Sequence, residues 1–194
     1  MSMRVVVLVS GRGSNLQSIV KQQGNYQVVA VISNKADALA LEFAKSEAIA
    51  TAVVDNQNYA NREQFDRQLA NTIDKFQPDL VVLAGFMRIL TAQFVAHYLG
   101  HLINIHPSLL PKYKGLNTHQ QALEANDSEH GCTVHFVTSD LDAGQIIKQV
   151  RVPILADDDE HRLALRVLKQ EHQLYPQVID DFAQGKIRGL NSDG

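Results

Sequence analysis

An asparagine and a histidine stand two residues apart in the segment Leu102-Ile103-Asn104-Ile105-His106-Pro107. Side chains alternate along a β-strand, so Asn104 and His106 are predicted to share one face while the two isoleucines take the other. Pro107 keeps the residue before it extended and ends the strand pairing. A carboxamide that donates hydrogen bonds and an imidazole that titrates near neutral pH are therefore expected side by side at the carboxyl end of a strand.

An imidazole used as an acid or base needs a carboxylate to orient it. The loop Thr138-Ser139-Asp140-Leu141-Asp142-Ala143-Gly144 offers two, Asp140 and Asp142. The spacing along the chain favours neither, and acidic residues are common in turns.

The segment Gly11-Arg12-Gly13-Ser14-Asn15 lies between a predicted strand and a predicted helix. Glycines let the backbone approach a ligand closely, Ser14 and Asn15 are predicted to cap the helix, and free N–H groups at a helix start favour an anion. A strand-to-helix corner needs glycine and a cap in any case, and Arg12 fits a solvated role equally well, so both interpretations stay open.

The same segment excludes two nucleotide sites. It lacks the G-x-x-x-x-G-K-[ST] pattern of a triphosphate loop, and Leu16 replaces the third glycine of G-x-G-x-x-G. The next strand ends in Ser33-Asn34-Lys35, without an acid for a ribose hydroxyl. A single phosphate group fits better than a dinucleotide.

Strands and helices are predicted to alternate over the first half of the chain, which indicates a doubly wound, mostly parallel α/β sheet. The predicted strands there are Val5–Val9, Val28–Ile32, Thr51–Val54, Leu80–Ala84 and Leu102–Ile105, and the helices are Leu16–Gln23, Leu39–Glu47, Arg62–Phe76 and Thr91–Tyr98. Thr133–Val137 and Ile146–Val152 have no helix between them and predict an antiparallel addition. A long helix over His161–Gln184 follows, which Pro176 is expected to bend or interrupt.

Composition indicates an ordinary globular protein. With 194 residues, 45% hydrophobic and 20% charged, we expect one domain over residues 1–194. The net charge of −3 argues against a nucleic-acid partner, and the absence of a long apolar run argues against a membrane. The single cysteine, Cys132, and the lack of a signal peptide favour the cytoplasm. The histidines show no zinc-ligand spacing, so no metal is expected.

Residues Leu102–Lys112, L-I-N-I-H-P-S-L-L-P-K, resemble the signature of the folate-dependent formyltransferases. In that family the pattern continues to a D-x-G loop, matched by Asp142-Ala143-Gly144. Four flanking segments are similar to the branch that formylates phosphoribosylglycinamide: Gly11–Asn15, Ser33–Lys35, Leu83–Leu90 and Gly131–Val137. The resemblance spans nearly the whole chain and implies a Rossmann-like formyltransferase fold.

The resemblance implies roles for individual residues. Asn104, His106 and Asp142 would be catalytic, which selects Asp142 over Asp140 as the acid. The residues implied in phosphate and glycinamide binding are Gly11, Arg12, Gly13, Ser14, Asn15 and Glu171. Those implied in folate binding are Arg62, Met87, Arg88, Ile89, Leu90, Asn104, Thr138, Ser139, Asp140, Leu141 and Asp142.

The implied reaction transfers a formyl group from 10-formyltetrahydrofolate to a small phosphorylated amine, phosphoribosylglycinamide, without a metal, by a monomer or homodimer. The alternatives are a formyltetrahydrofolate deformylase, in which water replaces the amine, and a non-catalytic folate-binding module. Lys114 and Asn117 depart from the residues often found in the family, Pro or Arg and His respectively, so the contacts of their loop, including those of His119, are left open.

Overall fold

The computed structural model describes residues 1–190. Within that range the chain forms seven β-strands, six α-helices and one short 3-10 helix, Asn56–Asn58. The strands are β1 Met3–Val9, β2 Tyr26–Ser33, β3 Ala50–Val53, β4 Leu80–Leu83, β5 Leu102–His106, β6 Glu129–Phe136 and β7 Ile146–Pro153. The helices are α1 Ser14–Lys21, α2 Leu39–Ser46, α3 Arg62–Asp74, α4 Ala92–His97, α5 Thr118–Glu124 and α6 Glu160–Ala183.

All seven strands form one sheet in the order β3-β2-β1-β4-β5-β6-β7. The first five strands are parallel, and β6 and β7 pair antiparallel to their neighbours. The predicted fold class is confirmed. The chain passes from β1 outward to β3 and then returns to β4 on the other side of β1, so loops diverge above β1 and β4. Doubly wound sheets bind ligands at such a switch point.

Apolar residues cover both faces of the sheet, as β1 illustrates. Val5, Val7 and Val9 belong to one buried cluster with residues of α1, α2 and α6. Val6 and Leu8 belong to another with residues of α3 and α4. Burial on both faces explains why the strand is a continuous β-branched and leucine run instead of an alternating one.

The last helix is hydrogen-bonded to the sheet beneath the switch point. Tyr175 is fully buried, and its hydroxyl donates to the carbonyls of Leu83 at 2.6 Å and Ile103 at 3.3 Å. Of the two effects expected of Pro176, a bend or an interruption, the interruption does not occur, because α6 continues through it. The proline lies in the buried stripe of the helix, where packing against the sheet holds the chain helical.

Two further expectations differ from the structure. α5 lies in the segment after Pro107 that the sequence indicated as a loop. The sequence does not reveal it because a helix of seven residues with only two buried side chains shows little helical periodicity. Gly13 occupies the N-cap position of α1, so Ser14 and Asn15 do not cap this helix. Gly13 has φ 75°, and a Cβ there would lie 2.6 Å from Cβ of Ala40. The close approach of α2 therefore selects glycine.

Candidate active site

The alternation predicted for β5 is observed. Ile103 and Ile105 pack in the cluster on the α6 side of the sheet, which leaves Asn104 and His106 on the opposite face. Asn104 lines a cleft at the carboxyl ends of β4 and β5, and His106 is only 5% exposed. A donor amide and an imidazole thus lie together at the strand end.

Asp142 completes this group. Its Oδ2 lies 3.4 Å from Nδ1 of His106, and both side chains are 7% exposed. The same oxygen accepts a hydrogen bond of 2.9 Å from the backbone N–H of Gly115. The structure therefore places Asp142, and not Asp140, against the imidazole.

Backbone geometry holds the Asp142 loop in place. Asp142 has φ 49°, a left-handed conformation that aspartate tolerates better than most residues. A Cβ added to Gly144 would lie 1.7 Å from the carbonyl oxygen of Phe136. The glycine of the D-x-G pattern is therefore required where the loop returns past the end of β6.

The loop after β5 contacts the other side of the imidazole. Nε2 of His106 lies 2.8 Å from the carbonyl oxygen of Tyr113, and since a carbonyl only accepts, that nitrogen carries a proton. Nδ1 faces the carboxylate of Asp142, which also accepts. Both ring nitrogens are matched by acceptors, and the geometry suits an imidazolium.

Side-chain contacts join this loop and α5 to the region around the start of β6. The hydroxyl of Tyr113 donates to Asp127 at 2.6 Å, and Nδ1 of His119 lies 3.0 Å from Nε2 of His130. Asn117 stands at the N-cap position of α5 with φ 58°, and Lys114 lines an open cleft together with Asp142. His119 therefore joins α5 to β6.

The predicted phosphate loop lies at the adjacent strand end. Because α1 begins after a glycine, which has no side chain with which to cap it, the first amides of the helix are available to an anion. Ser10, at the end of β1, accepts a hydrogen bond from the backbone N–H of Met87 at 2.8 Å. This contact joins the loop after β1 to the loop after β4.

Glu171 of α6 reaches the same region. Nδ2 of Asn15 donates to its Oε1 at 3.2 Å, so two of the predicted substrate residues are in contact. Burial raises the pKa of Glu171 to about 7, against the lowering effect of the Asn15 hydrogen bond. The carboxylate is therefore poised to exchange a proton near neutral pH.

The cleft beside Asn104 brings together most of the residues predicted to bind folate. Its lining includes Arg88, Ile89, Leu90, Asn104, Thr138, Ser139, Asp140, Leu141 and Asp142. Met87 is 62% exposed and Arg62 lies at the first position of α3; neither is among the lining residues that the structure describes. The lining residues missed from the sequence are Leu83, Phe86, His135 and Val137. Of these, His135 is the polar one, and it lies within a strand that is buried almost throughout.

Among residues 1–190, no group of three or more His, Cys, Asp or Glu side chains is arranged to hold a metal ion. No helix in the described range has both the length and the apolar character needed to cross a bilayer. A separate cleft between α3 and α4, lined in part by Asp66, Asp74 and His97, contains none of the predicted site residues.

Comparisons with known proteins agree on one family. The model of the family described as formyl transferase matches residues 3–179. The phosphoribosylglycinamide formyltransferase of Escherichia coli (strain K12) is 54% identical over 192 residues, which covers 96% of this chain and 90% of that protein. The enzyme of the same name from Haemophilus influenzae is 45% identical over 189 residues, covering 95% and 89%.

A solved structure shows the same architecture. The phosphoribosylglycinamide formyltransferase of Coxiella burnetii, in complex with CHES, superimposes with a TM-score of 0.95 at 47% sequence identity. The match covers 98% of this chain and 92% of that one. The sheet order, the antiparallel strands β6 and β7 and the long last helix are thus those of a known fold.

Proposed function

The chain belongs to the formyl transferase family, and from this premise we propose how its residues carry out the reaction. It is a formyltransferase of purine biosynthesis that transfers a formyl group to the amine of phosphoribosylglycinamide. We propose 10-formyltetrahydrofolate as the donor and Asn104, His106 and Asp142 as the catalytic residues. The observation that carries this assignment is the contact of His106 with Asp142 at 3.4 Å, beside the cleft that Asn104 lines.

Catalysis begins with attack of the substrate amine on the formyl carbon. Negative charge then develops on the formyl oxygen, and the amide of Asn104 donates to it from the strand end. Removal of one such donor raises a barrier by about 3–4 kcal/mol. The His106 imidazolium, paired with Asp142, places a positive charge beside the same oxygen.

Protons must also move. The attacking nitrogen loses one proton, and the departing folate nitrogen gains one as the bond from carbon to that nitrogen breaks. His106 is the proposed carrier, because an imidazole both accepts and releases protons near neutral pH. Help of this kind contributes on the order of 10²–10⁴ in rate.

The acceptor substrate is proposed to lie between the first loop and α6. Its phosphate would accept hydrogen bonds from the free amides of Gly13–Asn15, with Arg12 adding charge. Its amine would lie near Glu171, whose raised pKa lets it take up a proton from a substrate ammonium and leave the neutral, nucleophilic amine.

The donor is proposed to occupy the cleft beside Asn104. Its lining includes Arg88, Ile89, Leu90 and Thr138–Asp142, so apolar side chains and backbone groups would face a flat pterin ring. The buried free thiol of Cys132 suits a cytoplasmic enzyme, which we propose to act as a monomer or homodimer.

Donor consumption tests the proposed reaction. Tetrahydrofolate release from 10-formyltetrahydrofolate is followed by absorbance, with and without phosphoribosylglycinamide. The proposal expects release only when the amine is present. Release without the amine would instead indicate a deformylase, and absence of release in both samples would indicate a folate-binding module.

A further inference from the structure

His135 is a buried histidine beside the site that the proposed mechanism does not use. It lies on β6 directly opposite Asn104 of β5 and is 2% exposed. Its Nε2 lies 3.8 Å from Oδ1 of Asp142. The carboxylate of Asp142 is thus placed between two imidazoles, with His106 facing one oxygen and His135 facing the other.

The strand geometry aims His135 at this position. The register between β6 and β7 shifts between Val134 and His135, and such bulges redirect a side chain. Nδ1 of His135 lies 2.8 Å from the carbonyl oxygen of Phe136, so this nitrogen carries a proton and the ring orientation is fixed. Among residues 1–190, Nε2 has no hydrogen-bond partner although it is buried.

The two rings therefore have the same hydrogen-bonding arrangement around Asp142. Each has its outer nitrogen bonded to a backbone carbonyl, that of Tyr113 for His106 and that of Phe136 for His135. When both rings are neutral, both inner nitrogens direct lone pairs at a buried carboxylate. One additional proton relieves this repulsion, and a second would place two imidazolium ions against one carboxylate.

We propose that His135 is a positioning residue that shares with His106 the single proton held against Asp142. The inference rests on the proposed function, in which His106 and Asp142 are catalytic. His135 orients the carboxylate from β6 and provides a second location for the proton while His106 exchanges its own with the reacting groups.

The other groups around His135 agree with this assignment. Burial lowers the pKa of His135, against the raising effects of the Phe136 carbonyl and the Asp142 carboxylate, and His106 lowers it further. His135 is therefore neutral until the proton is transferred to it.

Two amide substitutions separate this role from simple packing. In His135→Asn the amide takes the place of Nδ1 and keeps the bond to Phe136, but nothing faces Asp142. In His135→Gln the amide takes the place of Nε2 and donates to Asp142, while the bond to Phe136 is lost. A positioning role predicts that the Gln variant, which orients Asp142 but cannot hold the proton, loses about threefold in kcat. The Asn variant, which does neither, loses about tenfold or more, and KM for phosphoribosylglycinamide changes little in either variant. A packing role predicts the reverse order, which would overturn the proposal, as would parental kcat in both.

A second measurement does not require activity. The ¹³C resonance of the His106 ring is followed through a pH titration in the parent and in both variants, with His101→Ala as an exposed control. Loss of His135 has two effects on the cluster of His106, Asp142 and His135. The deprotonated cluster loses one lone pair directed at the carboxylate, and the protonated cluster loses one location for its proton. Half-titration of His106 is therefore expected at lower pH, by about half a unit or more. An unmoved midpoint in both variants contradicts the shared proton. If the parent fails to transfer formyl groups while the midpoint moves, the proposed function fails and the proton sharing stands.

Discussion

The carboxamide of Asn15 donates to the carboxylate of Glu171 at 3.2 Å, which joins the first helix of the chain to the last at the proposed substrate site. Glu171 is 7% exposed, and Asn15 supplies the one side-chain hydrogen bond that the carboxylate receives within the described residues. A carboxylate so buried opposes folding when it is ionised, which suggests that it is retained for binding and not for stability.

Substitution Glu171→Gln is expected to stabilise the fold at alkaline pH. Burial raises the pKa of the carboxyl from 4.5 to about 7, so the folded state binds more protons than the unfolded state between these values. Stability therefore falls as pH rises through that window, by up to about 3 kcal/mol. The Gln variant avoids this loss and should exceed the parent by up to about that amount at pH 8, measured by urea unfolding.

The parent and the Glu171→Gln variant should be equally stable below pH 4, where the carboxyl of Glu171 is neutral in both the folded and the unfolded state. Glu42→Gln, at an exposed position of α2, is the control and should show no such pH dependence. A Glu171→Gln variant that is less stable than the parent at pH 8 would refute the argument. The same variant is expected to raise KM for phosphoribosylglycinamide.

Gly13→Ala is expected to damage the proposed phosphate loop. The residue has φ 75°, and its new Cβ would lie 2.6 Å from Cβ of Ala40, so α1 and α2 must separate and the first amides of α1 must move. The loss should exceed about 1 kcal/mol of stability, and KM for the phosphorylated substrate should rise.

Gly11→Ala provides the matched comparison in the same loop, because a Cβ at Gly11 meets nothing within 4 Å. Thermal unfolding and KM are measured for both variants. Equal effects of the two substitutions on stability would show that the contact with Ala40 does not constrain the loop.

Tyr175→Phe is expected to destabilise the sheet beneath the site. The hydroxyl bonds to the carbonyls of Leu83 and Ile103, so its removal leaves buried acceptors without their donor, at a cost of about 1–3 kcal/mol. Tyr59→Phe removes a hydroxyl from a half-buried position and should change stability by less than about 0.5 kcal/mol. Denaturant midpoints that agree for the two variants would contradict the role given to Tyr175.

Much of the fold was predictable because the strands carry strong local signals. The β-branched runs of β1 and β2 indicate burial on both faces, and the spacing of Asn104 and His106 correctly predicts a shared face. α5 was not predictable, because it is short and is held by contacts such as Thr118 to the carbonyl of Pro107.

The site was less accessible to sequence reasoning. The choice between Asp140 and Asp142 depends on the left-handed backbone at Asp142, which spacing does not reveal. His135 lies among the buried residues of β6 and has the pattern of a core residue; only the distance to Asp142 distinguishes it. Capping by Ser14 or Asn15 was a reasonable prediction from residue type, but packing of α1 against Ala40 decides the position in favour of Gly13.

The rate of formyl transfer by His106→Ala, with His101→Ala as an exposed control, tests the central claim most directly. Transfer from 10-formyltetrahydrofolate to phosphoribosylglycinamide should fall by about 10²–10⁴ in kcat, while far-ultraviolet circular dichroism remains that of the parent and the control keeps parental activity. A folded His106→Ala variant that transfers formyl groups at the parental rate would contradict the assignment of His106 and the mechanism built on it.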